Sequence, residues 1–200
     1  MRRAQLAQHG RAGRQRRIEA LLAMKAQRAF SLTELLIVTA VAAVLLAVAA
    51  PDLGALLRAQ QLRTATDDLF SAIGMARAQA IARNERVILT PRDAAGVDWA
   101  QGWIVFVDRD GDGAPSPADA ILSVHEALPG GFETAFAFTS PAAPYYIAYN
   151  GAGRSCSAAN SGAARWGTLS LFHGGAIRRI KINMLGRARA CNPARDDNCE

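Results

Sequence analysis

The chain has 200 residues, half of them hydrophobic, which suits one domain plus a membrane helix. Its formal charge of +6 is an N-terminal property: residues 1–29 hold eight of the 23 basic residues against Glu19 alone, and the remainder is near neutral at about −1. The high isoelectric point therefore describes the leader, and the lack of G-x-S-x-G, H-E-x-x-H or P-loop patterns excludes the common catalytic motifs and points away from an enzyme.

The first predicted element is an apolar run from Phe30 to Ala50 with one charge, Glu34. A helix of ~20 such residues covers the ~30 Å hydrocarbon layer, and a carboxylate near its end is costly without a partner. The basic residues before the run place the N-terminus in the cytoplasm and the C-terminus outside the inner membrane. Pro51 closes the run and predicts a kink or local melting. Beyond it, Leu62, Ala65, Leu69, Ile73, Ala76 and Ala80 recur at three- and four-residue steps, the stripe of an amphipathic helix, with Asn84 a natural stop. One helix over about 30–83 follows from this pattern.

From Val87 onward, short apolar runs alternate with turn residues. Val87–Leu89, Trp103–Val107, Ile121–Val124, Ala135–Phe138, Tyr145–Tyr149, Thr168–Phe172 and Ile177–Ile182 read as strands, and Gly174-Gly175 as a hairpin turn. The expected fold class is α+β: a long N-terminal helix packed on an antiparallel β-sheet head.

Arg28-Ala29-Phe30-Ser31-Leu32-Thr33-Glu34-Leu35 resembles the N-terminal signal of type IV pilins and pseudopilins. The resemblance implies that a prepilin peptidase cuts between Ala29 and Phe30, that the new Phe30 amine is methylated, and that Glu34 pairs with a neighbouring subunit's N-terminus during assembly. Ala29 stands where glycine is usual. Met24 opens a short basic leader of the family's kind, so residues 1–23 read as a mis-assigned start; a longer leader is the alternative. The expected organisation is a leader over 1–29, a transmembrane and assembly helix over 30–51, and a periplasmic head over 52–200.

The head resembles the GspH/FimT branch of that superfamily, through Gly102-Trp103-Ile104-Val105-Phe106-Val107-Asp108, Tyr149-Asn150-Gly151 and Gly186-Arg187-Ala188-Arg189. The branch implies either a minor pseudopilin of type II secretion, with other pilins as its partners, or a FimT-like minor pilin that captures DNA in natural transformation. In FimT-like pilins a G-R-x-R motif contacts DNA.

Charge patterning bears on the choice. The interval from Arg154 to Arg189 contains Arg154, Arg165, Arg178, Arg179, Lys181, Arg187 and Arg189 and no acidic residue. In a strand, Arg179 and Lys181 share a face opposite Ile180 and Ile182. Arg187 and Arg189, after a turn at Gly186, are the first expected phosphate contacts; Arg178, Arg179 and Lys181 come second, and Arg154 and Arg165 third. A solvated edge strand is the plain alternative. No aromatic is interleaved between Arg178 and Arg189, which favours duplex backbone over single strands.

Asp108, Asp110, Asp112 and Asp119 fall at EF-hand-like loop positions and offer a calcium alternative to an acidic hairpin loop. No other cofactor is expected. Cys156, Cys191 and Cys199 allow three single disulfide pairings in an oxidising periplasm, with one thiol left over; Cys191 with Cys199 closes the shortest loop.

Overall fold

The computed structural model describes residues 30–140 and 142–199, with side chains except those of residues 48–52. Ala29, the leader and the Met24 start lie outside the described residues. The chain divides into two compact units at the Ala50–Pro51 junction.

In the first unit, helix α1 (Leu32–Arg83) begins beneath Ser31, whose hydroxyl accepts the Glu34 backbone N–H at 3.1 Å. Ser31 is thus an N-cap, and Glu34 sits in the first turn, where the helix dipole favours a carboxylate. The Thr39 hydroxyl is satisfied by the Leu35 and Leu36 carbonyls, as an apolar helix requires. Leu32, Leu35, Leu36, Ile37, Val41, Leu45 and Leu46 are all exposed. No helix among the described residues is long and apolar enough to cross a membrane. Of the expected span over 30–51, the side chains from Val48 onward lie outside the described ones. The backbone remains helical through Pro51, so the expected local melting is absent; proline removes one hydrogen bond from a ladder that has many.

In the second unit, α1 buries Leu62, Ala65, Leu69, Ala72, Ile73, Ala76 and Ala80, the expected stripe with one member added. The helix stops at Arg83, followed by Asn84 in the left-handed region (φ 54°), the role expected of it. Two antiparallel sheets follow. The first joins β1 (Val87–Pro91), β2 (Trp103–Val107), β3 (Ala120–His125), β5 (Ile147–Tyr149) and β6 (Ser155–Cys156) in the order β3-β2-β1-β5-β6. Every residue of β1 is buried, because apolar clusters cover both faces of this sheet.

The second sheet joins β4 (Phe132–Phe138), β7 (Gly167–His173), β8 (Ala176–Ile182) and β9 (Ala188–Cys191) in the order β4-β7-β8-β9. Gly174 and Gly175, at φ 57° and 82°, make the β7–β8 hairpin turn as expected. Leu169, Leu171, Ile180 and Ile182 face the core with the helix stripe. His173 links sheet to helix, one ring nitrogen 3.0 Å from Gln61 Oε1 and the other 2.9 Å from the Gly131 carbonyl. Strands β6 and β9 went unpredicted because they are short and lack an apolar run.

Candidate nucleic-acid interface

Register fixes which side chains share the outer face of the second sheet. Thr168 pairs with Lys181 and Lys181 with Arg189; Ser170 pairs with Arg179 and Arg179 with Cys191. Since Ile180 and Ile182 point into the core, Arg179, Lys181 and Arg189 point away from it. The ladder continues one step past the named strands. Thr139 N–H donates to the Trp166 carbonyl at 3.0 Å, and Asn183 N–H to the Arg187 carbonyl at 3.1 Å. A third outward row therefore contains Trp166, Asn183 and Arg187.

The two inner rows are covered by the chain's own C-terminus. Arg179 Nη1 donates to the Cys199 carbonyl at 2.9 Å, and Lys181 Nζ lies 3.5 Å from the Asn198 carbonyl. Arg189 is ion-paired with Asp196. A disulfide between Cys191 and Cys199, with Cα atoms 5.7 Å apart, closes this tail onto β9, so the shortest of the three expected loops is the one formed. Cys156 is the remaining thiol; it is buried, and burial pushes its pKa up while Arg86 opposes the shift.

The outermost row is open. Arg187 is exposed and makes no side-chain hydrogen bond or ion pair among the described residues, while Asn183 Oδ1 accepts its backbone N–H at 2.9 Å. Gly186 shapes the turn: its φ is 76°, and a Cβ there would stand 2.4 Å from the Gly153 carbonyl oxygen and 2.8 Å from the Tyr149 ring. It therefore positions Arg187 and has no side chain of its own to contribute. The same close fit seats the β8–β9 turn on the loop carrying Arg154, which is also exposed and unpartnered among the described residues. Arg77, on α1, braces both turns by donating to the Gly153 carbonyl at 2.8 Å and the Leu185 carbonyl at 3.4 Å. Arg154, Met184 and Leu185 line a cleft of about 170 Å³ between them.

Two expected contacts sit elsewhere. Arg178 has the parity of Ile180, so it lies on the helix side beside Arg63, Thr66 and Asp67. Arg165 is only 3% exposed: its guanidinium lies 3.9 Å from the centre of the Tyr146 ring and donates to the Tyr146 and Ser140 carbonyls. Desolvation lowers its pKa, and it serves as a structural clamp out of reach of an external phosphate. Two residues of this face are not among the expected contacts: Trp166, which the sequence alone reads as core or rim packing and which is exposed one residue before β7, and Asp196, which lies beyond Arg189.

The acidic loop brings carboxylate oxygens of Asp108, Asp110 and Asp112 within 4.8 Å of one another, without Asp119. Asp108 is already paired with Arg86 at 2.6 Å, and Asp119 accepts the backbone N–H groups of Arg109 and Ser116. Asp110 has its pKa lowered, first by the Ser116 hydroxyl and then by the Asp112 backbone. His125 stacks on Trp103 at 3.9 Å, a structural position at a strand end.

The family model for Type II transport protein GspH matches residues 65–186, most of the head described above. The chain belongs to the GspH family. A prokaryotic N-terminal methylation motif matches residues 24–50, spanning the Ala29–Phe30 junction and Glu34. Among solved structures, the type IV minor pilin FimU of Pseudomonas aeruginosa is similar in fold. One crystal form gives a TM-score of 0.52 at 16% identity, covering 68% of this chain and 91% of FimU, and a second gives 0.50 at 17% identity, covering 66% and 94%. The minor pseudopilin EpsH from the type 2 secretion system of Vibrio cholerae gives 0.47 at 14% identity, covering 66% and 98%. No curated protein matches the sequence. This GspH-family protein is therefore a minor pilin or pseudopilin type of subunit, with a helix-and-sheet head of the expected α+β class.

Proposed function

We propose that this subunit is drawn from the inner membrane into a pilus through its N-terminal helix and that its head binds DNA through phosphate contacts at Arg187, helped by Arg154. Prepilin peptidase cuts before Phe30, Glu34 pairs with the new amine of a neighbour, and the head lies in the periplasm before assembly and at the cell surface after it. The subunit's work is structural and binding rather than catalytic.

The observation that carries the DNA reading is the open row at the end of the second sheet: an exposed arginine, unpartnered among the described residues, beside a turn that packs closely on Gly153 and is braced by Arg77. A guanidinium fork held in this way suits phosphate and carries no sequence preference. Arg179, Lys181 and Arg189 join it only where the tail yields. Electrophoretic retardation of DNA by the full chain in detergent, at low salt, tests the binding. Retardation that weakens strongly on Arg187→Ala is expected, and a mobility unaffected by wild-type protein would defeat the reading. For processing, mass spectrometry of the cellular protein should find a methylated Phe30 N-terminus; residues 24–29 still attached would rule the cleavage out.

A second reading, a pseudopilin of type II secretion whose head touches only other subunits, draws on the tail itself. Three of the seven expected basic contacts already bind the chain's own C-terminus.

A further inference from the structure

Trp166 is an exposed aromatic ring at the open end of the basic face, one residue before β7 and outside the Arg178–Arg189 segment. It is 42% exposed and makes no ring contact among the described residues, whereas Trp99 and Trp103 are 1% and 2% exposed. Its row partners are Asn183 and Arg187, so two strand spacings, roughly 10 Å, separate its backbone from that of Arg187. Thr168 follows it on the same face, beside Lys181. Met184 and Leu185, on the turn that carries Arg187, are 52% and 48% exposed and add apolar surface at the same end. The C-terminal tail reaches Arg179, Lys181 and Arg189 and leaves this row open.

From this arrangement we infer that the open end of the second sheet binds single-stranded DNA in preference to duplex, with one base stacked on the Trp166 indole and the adjoining phosphate held by Arg187. The inference rests on the DNA reading above and names the form of DNA. Bases in a duplex are stacked on each other and offer no free face, whereas a single strand offers one at every nucleotide. An exposed indole beside a guanidinium meets both halves of a nucleotide, the apolar ring and the anionic phosphate, without reading sequence. An arginine patch made only for duplex backbone has no use for the ring.

The test measures fluorescence anisotropy of a labelled oligothymidylate and of a duplex of equal length with the full chain in detergent, alongside intrinsic tryptophan emission. The oligothymidylate should bind more tightly and quench tryptophan emission, which the two buried indoles do not report. Trp166→Ala should weaken single-strand binding roughly tenfold and leave duplex binding within about twofold, and Trp166→Phe should keep most of the affinity. Thermal melts of both variants matching wild type would attribute the loss to the ring. Equal affinity for both forms, untouched by Trp166→Ala, would overturn the inference while leaving the DNA reading standing. Binding of neither form at low salt would overturn both.

Discussion

Arg189 is ion-paired with Asp196 across a loop that the Cys191–Cys199 disulfide closes. The second arginine of the G-R-x-R motif therefore faces a carboxylate of its own chain, while the first, Arg187, is open. The two arginines, equivalent by spacing, differ in what they are free to bind.

Asp196→Asn should raise affinity for DNA by about threefold, the scale of one exposed ion pair. Reduction of the disulfide should act in the same direction by freeing the tail. Anisotropy titrations of wild type, the variant and reduced wild type measure this; three identical affinities would mean that the tail does not compete with DNA.

Gly186→Ala should destabilise the head by at least about 2 kcal/mol, because it forces a side chain into the left-handed region and against the Gly153 carbonyl. A chemical denaturation midpoint equal to wild type would show that the turn can relax. The glycine of the motif would then owe nothing to packing.

Arg165 and Arg187 should separate cleanly. Arg165→Ala leaves the Tyr146 and Ser140 carbonyls without their donor and should cost about 3 kcal/mol of stability. Arg187→Ala removes an exposed side chain and should leave the melting temperature unchanged. A large shift on Arg187→Ala, or none on Arg165→Ala, would contradict these assignments.

Cys156 should resist iodoacetamide in the native protein and react once unfolded. Because burial raises its folded pKa above the unfolded value, the folded state retains the proton longer. Its contribution to stability is therefore complete below the unfolded thiol pKa of about 8.5 and declines as pH rises beyond it. Cys156→Ala should flatten that alkaline decline in a thermal melt series; an unchanged slope would place the effect elsewhere.

Much of this architecture is legible in the sequence. The stripe from Leu62 to Ala80 and the Gly174-Gly175 hairpin are set by local periodicity and turn chemistry, which survive folding unchanged. The roles of the arginines are not. Arg165 and Arg154 stand eleven residues apart in one basic interval, yet one is buried under Tyr146 and the other exposed. Strand parity separates Arg178 from its neighbour Arg179, but only the pairing of β8 with β9 shows that Arg189 stands beside Lys181. Trp166 joins the basic face through β7, a non-local partner that a window over residues 178–189 cannot contain.

The salt dependence of DNA affinity tests the central claim most directly, that the Arg187 end of the head binds DNA phosphates. Log affinity of the full chain should fall linearly with log salt concentration, and Arg187→Ala should bind more weakly with a slope smaller by about one. No detectable wild-type binding at low salt, or a variant with the wild-type slope and affinity, would contradict it.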